Sequence, residues 1–285
     1  VPEYIAITPA RDEERFLPQL IACMASQKHL PLRWTIVDDG STDATGEIVE
    51  AAASQHPWIR PVHLSARRQR LPGGESVIMQ FLHEDALRDA DYIMRLDADI
   101  SFDDSFVDSL FQAFASDSKL GIAGATLYEP DETGKWHEVT KAPAFHTRGA
   151  TKVYSSRCFR AIGGLESGLG WDTIDEVRAL MKGFTTRSFR SIRAKHHRPQ
   201  GSSSSRLRDY CNKGRCAYYV GYSPIFQLAR SGRLALSSPL GSIAMLGGYI
   251  EGYLKKLPRI DDIELIRFVR RQQHRKLLML HTLWK

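Results

Sequence analysis

Four short apolar runs near the N-terminus, residues 4–7, 34–37, 61–64 and 92–96, alternate with segments whose apolar residues fall at helical spacing. Phe16, Leu17, Leu20, Ile21 and Met24 form the first helical face, Ile48, Val49 and Ala52 the second, and residues 77–87 the third. Strands joined through helices pair in parallel, so the alternation predicts an α/β fold, a Rossmann-like, mostly parallel sheet flanked by helices. Further on, 106–116 reads as helix, 121–127 as strand, 172–182 as helix and 190–195 as strand. From Leu207 onward the chain is helical and basic. A length of 285 residues accommodates one large α/β unit, expected over 1–205, and a smaller basic helical extension over 206–285.

In an open α/β sheet, ligands gather at the carboxyl ends of the strands. Two of the four early strands end there in acids, Asp38-Asp39 and Asp97-Ala98-Asp99. Crowded carboxylates repel one another unless a cation or hydrogen-bond donors sit between them. Mg²⁺ and Mn²⁺ take oxygen ligands and bridge carboxylates to phosphates, which suits such a pair of acidic strand ends. A lone Asp-Xxx-Asp is also a common loop cap, so the second acidic strand end carries the weight. Ser41 or Thr42 is expected to cap the helix that follows.

The motifs come in a defined order. Val37-Asp38-Asp39-Gly40-Ser41-Thr42-Asp43, Arg95-Leu96-Asp97-Ala98-Asp99, Ile162-Gly163-Gly164-Leu165 and Gly170-Trp171-Asp172 together resemble the family 2 glycosyltransferases with the GT-A fold, over residues 3–200. The resemblance implies metal-dependent, inverting transfer of a sugar from a nucleoside-diphosphate donor, a UDP-sugar being favoured, to an acceptor hydroxyl in polysaccharide or glycolipid synthesis. It implies that Asp39 hydrogen-bonds the nucleotide base, that Asp97 and Ala98 lie along the donor, and that Asp99 holds Mn²⁺ or Mg²⁺. It also implies a catalytic base at the start of a helix, eleven residues before a glycine. Counting back from Gly183 gives Asp172, with Asp175 as second candidate. Acids in a first helical turn also suit the helix dipole with no catalytic role.

The chain departs from the family pattern in places. Trp171 stands where the family has Glu, and Asp175 and Glu176 follow a turn later. The first loop lacks the family's aromatic and Asn; contacts with the donor are expected from Pro9 and Arg11. Arg67, Arg68 and Arg70 precede Gly73-Gly74 where the family approaches the donor. Arginine suits bidentate phosphate contacts, which makes Arg70 a donor candidate, while a solvated basic loop fits as well. His196-His197 follows a strand-like segment, and the resemblance implies that one of the two completes the metal shell. Strand alternation allows only one to face the site, and His196 is favoured.

Charge divides the chain. Residues 1–185 carry 19 Lys+Arg and 28 Asp+Glu, net −9, whereas residues 186–285 carry 20 and 5, net +15. A basic tail that contains Tyr210, Tyr218, Tyr219, Tyr222, Tyr249 and Tyr253 fits an anionic membrane surface near a carbohydrate or lipid-linked acceptor. It equally fits packing onto the catalytic unit or a solvated face. No nucleic-acid motif accompanies the charge, so no nucleic-acid partner is expected. The 4 Cys lack metal or redox spacing, which points to free thiols in a reducing compartment. Neither a signal peptide nor an unbroken apolar run of membrane length is visible, the nearest being 234–254. A cytoplasmic protein, peripheral on the inner face of the membrane, is the expectation. Two rivals remain: a sugar-phosphate nucleotidyltransferase, whose glycine-rich first loop is missing from residues 9–14, and a non-catalytic carbohydrate-binding partner, disfavoured by the filled acidic positions.

Overall fold

Strand β1 (Tyr4–Ala10) is buried almost throughout, because helices cover both faces of the sheet it centres. The computed structural model describes residues 1–65, 90–139, 145–166, 170–198 and 206–282. The helix expected at 77–87, Arg67, Arg68, Arg70, Gly73-Gly74 and residues 199–205 lie outside them. On one side of β1 runs β2 (Arg33–Asp38), then β3 (Ile59–His63), and on the other β4 (Tyr92–Leu96), all parallel. The register pairs Ala10 with Asp38 and Ile7 with Arg95, so the acidic ends of β2 and β4 emerge on one edge.

The second half of the sheet is built differently. The other strands are β5 (Ile100–Phe102), β6 (Leu120–Pro130), β7 (Trp136–Glu138), β8 (Thr151–Ser155) and β9 (Thr185–His196). The order across the sheet is β3-β2-β1-β4-β8-β6-β9-β5, with β7 hairpinned onto β6. β8 lies antiparallel to β4 and β6 antiparallel to β8; β6 and β9 are parallel, and β5 closes the edge antiparallel to β9. Beyond the parallel half, the expected mostly parallel sheet is therefore mixed.

Helices α1 (Leu17–Ala25), α2 (Thr45–Gln55) and α3 (Phe106–Ser116) bury one apolar face each against the sheet. Trp34, Ile36, Met94, Leu17, Leu20, Met24, Val49 and Leu110 share one core, in which Tyr92 stacks on Phe111 at 5.0 Å. One boundary differs from expectation: Ser41 and Thr42 do not cap α2, which begins after Ala44. Asp43 accepts from the Thr45 backbone N–H at 3.0 Å, while the Ser41 N–H is taken by Asp38 and the Thr42 N–H by Asp12. Those turn contacts hold residues 41 and 42 in a loop ahead of the helix.

A short helix α4 (Ser156–Ala161) and α5 (Trp171–Met181) follow β8. The C-terminal region is helical as expected: α6 (Arg206–Tyr219), α7 (Pro224–Ala235), α8 (Pro239–Leu254) and α9 (Ile263–Leu277). It packs on α5 through a core of Ile174, Val177, Val220, Ile260, Leu265 and Val269. α6 and α8 cross at backbone contact. A Cβ added at Gly214 would meet the Met245 carbonyl oxygen at 2.0 Å, and one at Gly248 the Cys211 oxygen at 2.1 Å.

Candidate active site

The loops after β1 and β2 are tied together. Asp12, at φ 55°, donates its N–H to Ser41 Oγ at 3.0 Å; Glu13 N–H reaches Thr45 Oγ1 at 2.8 Å and Glu14 N–H reaches Asp43 at 3.0 Å. This bracing sets Arg11 beside Asp39, with Nη1 3.8 Å from Oδ2. Asp39 is buried, and its Oδ1 has no hydrogen-bond partner among the described residues. An orphaned buried acceptor costs roughly 1–3 kcal/mol, so the position favours a ligand N–H. Pro9, half-buried in β1, is paired in register with Val37 beneath them. Asp38 turns away, holding Ser41 N–H at 2.9 Å and His63 Nδ1 at 3.2 Å.

The second acidic end lies where the parallel half meets β9. The turn Asp97-Ala98-Asp99 leads from β4 into β5, and β5 pairs Ile100 with His196. The topology thus brings the last residue of β9 to the aspartates. Ligand atoms of Asp97, Asp99 and His196 all lie within 4.8 Å of one another. His196 Nε2 is 3.4 Å from Asp99, while its Nδ1 is held 2.9 Å from Glu129. A carboxylate on the far ring nitrogen is the arrangement that orients a ligating histidine. Two carboxylates and an anchored imidazole fit Mn²⁺ or Mg²⁺. Ala98 is buried between the two aspartates. Burial opposes ionisation of Asp99, but His196 and Arg198 outweigh it and hold the carboxyl below its usual range. Burial likewise opposes charge on His196, and hydrogen bonds to Asp99 and Glu129 prevail, raising it to about 10. His197 takes the other side of the strand, stacking on Phe16 at 5.7 Å with Nε2 2.8 Å from Ser101 Oγ.

The third component is the start of α5. Gly170 enters the helix at φ 86°, a conformation that strains other residues. Asp172 sits half-exposed in the first turn. Asp175 instead points inward: Lys152 Nζ contacts both its oxygens at 2.9 and 2.8 Å, and Tyr154 donates to it at 2.5 Å. Lys152 also donates to the Asp172 carbonyl at 2.6 Å, which ties the helix start to β8. Glu176, equally buried, accepts from the N–H and hydroxyl of Thr147, both at 2.6 Å, and lies 2.9 Å from His146.

Trp171 joins these parts. Its ring receives Arg95 at 4.7 Å and Lys152 at 5.2 Å, and Arg95 reaches Asp97 at 2.9 Å. A Cβ on Gly149 would meet the Trp171 ring at 2.9 Å, so glycine there makes room for the indole. The structure therefore gathers Asp97, Asp99 and His196, places Arg11 on Asp39, and links Asp172 to the aspartates through Trp171 and Arg95. It buries Asp175 and turns His197 aside; Arg70 is outside the described residues.

Four residues escaped the sequence reading: Arg95, Lys152, Glu129 and Arg198. Arg198 bonds Glu13 and lies 3.6 Å from Asp99. The available signal was a charged residue inside an otherwise apolar strand, which holds for Arg95 but not for Lys152, whose strand also carries Thr151 and Ser155.

A parallel nucleotide-binding half continued by a mixed half, with an Asp-Ala-Asp turn at their junction, is the architecture of the GT-A glycosyltransferases. The sequence profile described as Glycosyl transferase family 2 matches residues 5–193, and the chain belongs to that family. It is a glycosyltransferase. Among solved structures, the mannosyltransferase PcManGT from Pyrobaculum calidifontis, in complex with GDP-Man and Mn²⁺, is similar at 14% identity and TM-score 0.59, covering 90% of this chain and 88% of that one. S. aureus TarS 1-349 in complex with UDP-GlcNAc is similar at 16% identity and TM-score 0.56, covering 75% and 65%. GalNAc-T7 with UDP, GalNAc and Mn²⁺ gives 14% identity and TM-score 0.62, with 99% of this chain and 55% of that chain covered. No curated protein sequence matches the chain.

Proposed function

We propose that the protein is a divalent-metal-dependent inverting glycosyltransferase that uses a UDP-sugar and delivers the sugar to a hydroxyl of a carbohydrate or lipid-linked acceptor in polysaccharide or glycolipid synthesis. The observation that carries this reading is the convergence of Asp97, Asp99 and His196 on the same sheet edge as the orphaned carboxylate oxygen of Asp39. The GDP-Man and Mn²⁺ in PcManGT and the UDP, GalNAc and Mn²⁺ in GalNAc-T7 support it by likeness of fold.

In this reading Asp39 accepts the imide N–H of uracil, and Arg11 fixes that carboxylate in position. Asp97 faces the ribose, held by Arg95. Asp99 and His196 would hold Mn²⁺ or Mg²⁺, and the chemistry such an ion supplies is neutralisation of charge on the departing diphosphate. Asp172 takes the proton from the acceptor hydroxyl, whose oxygen forms the new bond to the anomeric carbon as the bond to the diphosphate breaks. The diphosphate leaves with the electron pair. Lys152, through the Asp172 carbonyl, and Trp171, through Arg95, hold base and donor sites in fixed relation. In this reading the protein is peripheral on an anionic membrane surface, on the cytoplasmic side, which the basic charge of residues 186–285 supports.

The test is a thermal-shift screen of UDP, GDP and their sugars with Mn²⁺, Mg²⁺ or chelator. Ligand at about 100 times Kd stabilises by roughly 2.7 kcal/mol. UDP with Mn²⁺ is expected to raise the melting temperature, and chelator to cancel the rise. A rise with GDP alone would reassign the donor, and no rise with any nucleotide would end the transferase reading of this site.

A further inference from the structure

Helix α8 is inside out. Its buried residues are mostly small, Gly241, Ser242, Gly248 and Gly252 with Met245 and Tyr249, whereas Leu240, Ile243 and Leu254 are 67%, 69% and 79% exposed. The cause is the α6 crossing. The Gly248 and Gly214 contacts leave no space for a side chain between the two backbones, and Gly252 lies against the Tyr218 ring in the same way. This fixes the rotation of α8 about its own axis. Any roll that buried the leucines would drive a side chain into α6. Leu240, Ile243, Gly247, Ile250 and Leu254 follow one another at three- and four-residue steps and form one outward stripe.

Leu236 in the turn before the stripe is 89% exposed, and Ile225 and Leu228 on α7 are exposed as well. From Leu234 to Ile250 the chain carries no charge; Arg230 and Arg233 precede the stretch, and Glu251, paired with both Arg215 and Lys255, and then Lys256 follow it. Solvent-facing apolar area of this continuity marks a docking surface. No helix among the described residues is long and apolar enough to cross a membrane.

We infer that the outward stripe of α8, with the α7–α8 turn, is a monotopic docking surface that lies in the headgroup region of an anionic lipid bilayer. The apolar side chains enter the acyl boundary and the flanking arginines and lysines meet lipid phosphates. Charge decides against a second copy of the chain as occupant. Residues 206–285 hold 15 Lys+Arg against 5 Asp+Glu, so two copies meeting on this face would bring like charges together. An anionic bilayer neutralises them. The inference names the surface behind the peripheral association proposed above, and rests on that reading for its consequence, an active site held beside a lipid-linked acceptor.

The experiment is flotation of the full chain with phosphatidylcholine vesicles that contain or lack phosphatidylglycerol, in parallel with hydrogen exchange. The wild-type protein is expected to float with the anionic vesicles and to gain amide protection over 239–254. Leu240→Glu/Ile243→Glu is expected to bind about tenfold more weakly or less, with its thermal response to UDP and Mn²⁺ unchanged. Should that variant fail to fold, the exchange pattern of the wild-type protein decides alone. Failure to float, or protection confined to other helices, overturns the inference. So does a vesicle-independent dimer that the double variant dissociates, which would assign the stripe to self-association. A wild-type protein that responds to no nucleotide would fault the proposed donor site and leave the flotation result standing.

Discussion

Two clusters in this molecule contain the same kinds of group and behave in opposite ways. One is Asp97, Asp99 and His196 at the sheet edge; the other is Asp175, Glu176 and His146 beneath α5. Each has two carboxylates and an imidazole. In the buried cluster Lys152 supplies the cation, its ammonium 2.8 Å from Asp175 and 3.2 Å from Glu176 with all three side chains 0% exposed. In the edge cluster the ligand atoms converge on one another, with buried Arg95 on Asp97 and the more exposed Arg198 3.6 Å from Asp99. A buried lysine between two carboxylates makes a strut, whereas the edge cluster turns three ligand atoms toward one another and could hold a metal ion. Trp171 touches both, taking Arg95 from one and Lys152 from the other on its ring. A carboxylate at this position, as the family has, would add a further anion to the strut; an indole accepts both cations without charge.

If the contrast holds, Asp99→Asn should act on the edge cluster alone. Turnover is expected to fall on the order of 10⁴-fold, with loss of metal-dependent stabilisation by UDP and no drop in melting temperature without ligand. Metal-titrated kinetics and a ligand-free melt check both halves. Retained metal activation would remove Asp99 from the site. Asp172→Asn should lower kcat by about 10³-fold and leave the UDP-dependent melting shift intact, as loss of a general base does. Full turnover in that variant, or loss of the shift, would break the assignment.

Lys152→Met reverses the pattern. It strands two buried carboxylates, and unfolding in urea should show a loss of roughly 3–4 kcal/mol. Burial works against charge on Lys152, but Asp175 and Glu176 hold its pKa above the ordinary value, so the ammonium is present throughout the neutral range. Because Lys152 also holds the Asp172 carbonyl, kcat should fall while the KM for donor stays near wild type. A KM effect with unchanged kcat would show that the strut supports the donor site instead.

Much of this was legible from periodicity. The strands β1, β2 and β4 and the helix α3 fell where apolar spacing put them, and the acids at the ends of β2 and β4 mark the candidate site. Adjacent histidines at a strand end could be narrowed to one facing residue by alternation; His196 is the one that lies 3.4 Å from Asp99. The strut was not legible. Lys152 and Asp175 lie 23 residues apart, and Arg198 and Glu13 lie 185 apart, so neither pairing leaves a local pattern. Asp175 looked like a second base because both roles put an acid near a helix start; only burial separates them. The first half of β9 was missed for a related reason. Its residues are largely polar and exposed, and pairing with β6, not an apolar face, makes them strand.

The smallest expected effect tests the strut through pH. His146 faces Glu176, with Lys152 and Asp172 as further charges nearby. Burial lowers its affinity for a proton, but the hydrogen bond and charge of Glu176 prevail and its pKa stands above the ordinary imidazole value. A raised folded-state pKa means that the charged pair contributes its full stability below the unfolded value, about 6.5, and loses it as pH rises through the folded value. His146→Gln should therefore cost about 1 kcal/mol near pH 6, and less as pH rises through the raised folded-state value and the wild-type ring loses its proton. Urea unfolding of both proteins across that range measures it. An equal cost at both ends would mean that His146 serves Glu176 as a neutral hydrogen-bond donor, leaving Lys152 as the sole cation of the strut and sharpening its contrast with the edge cluster.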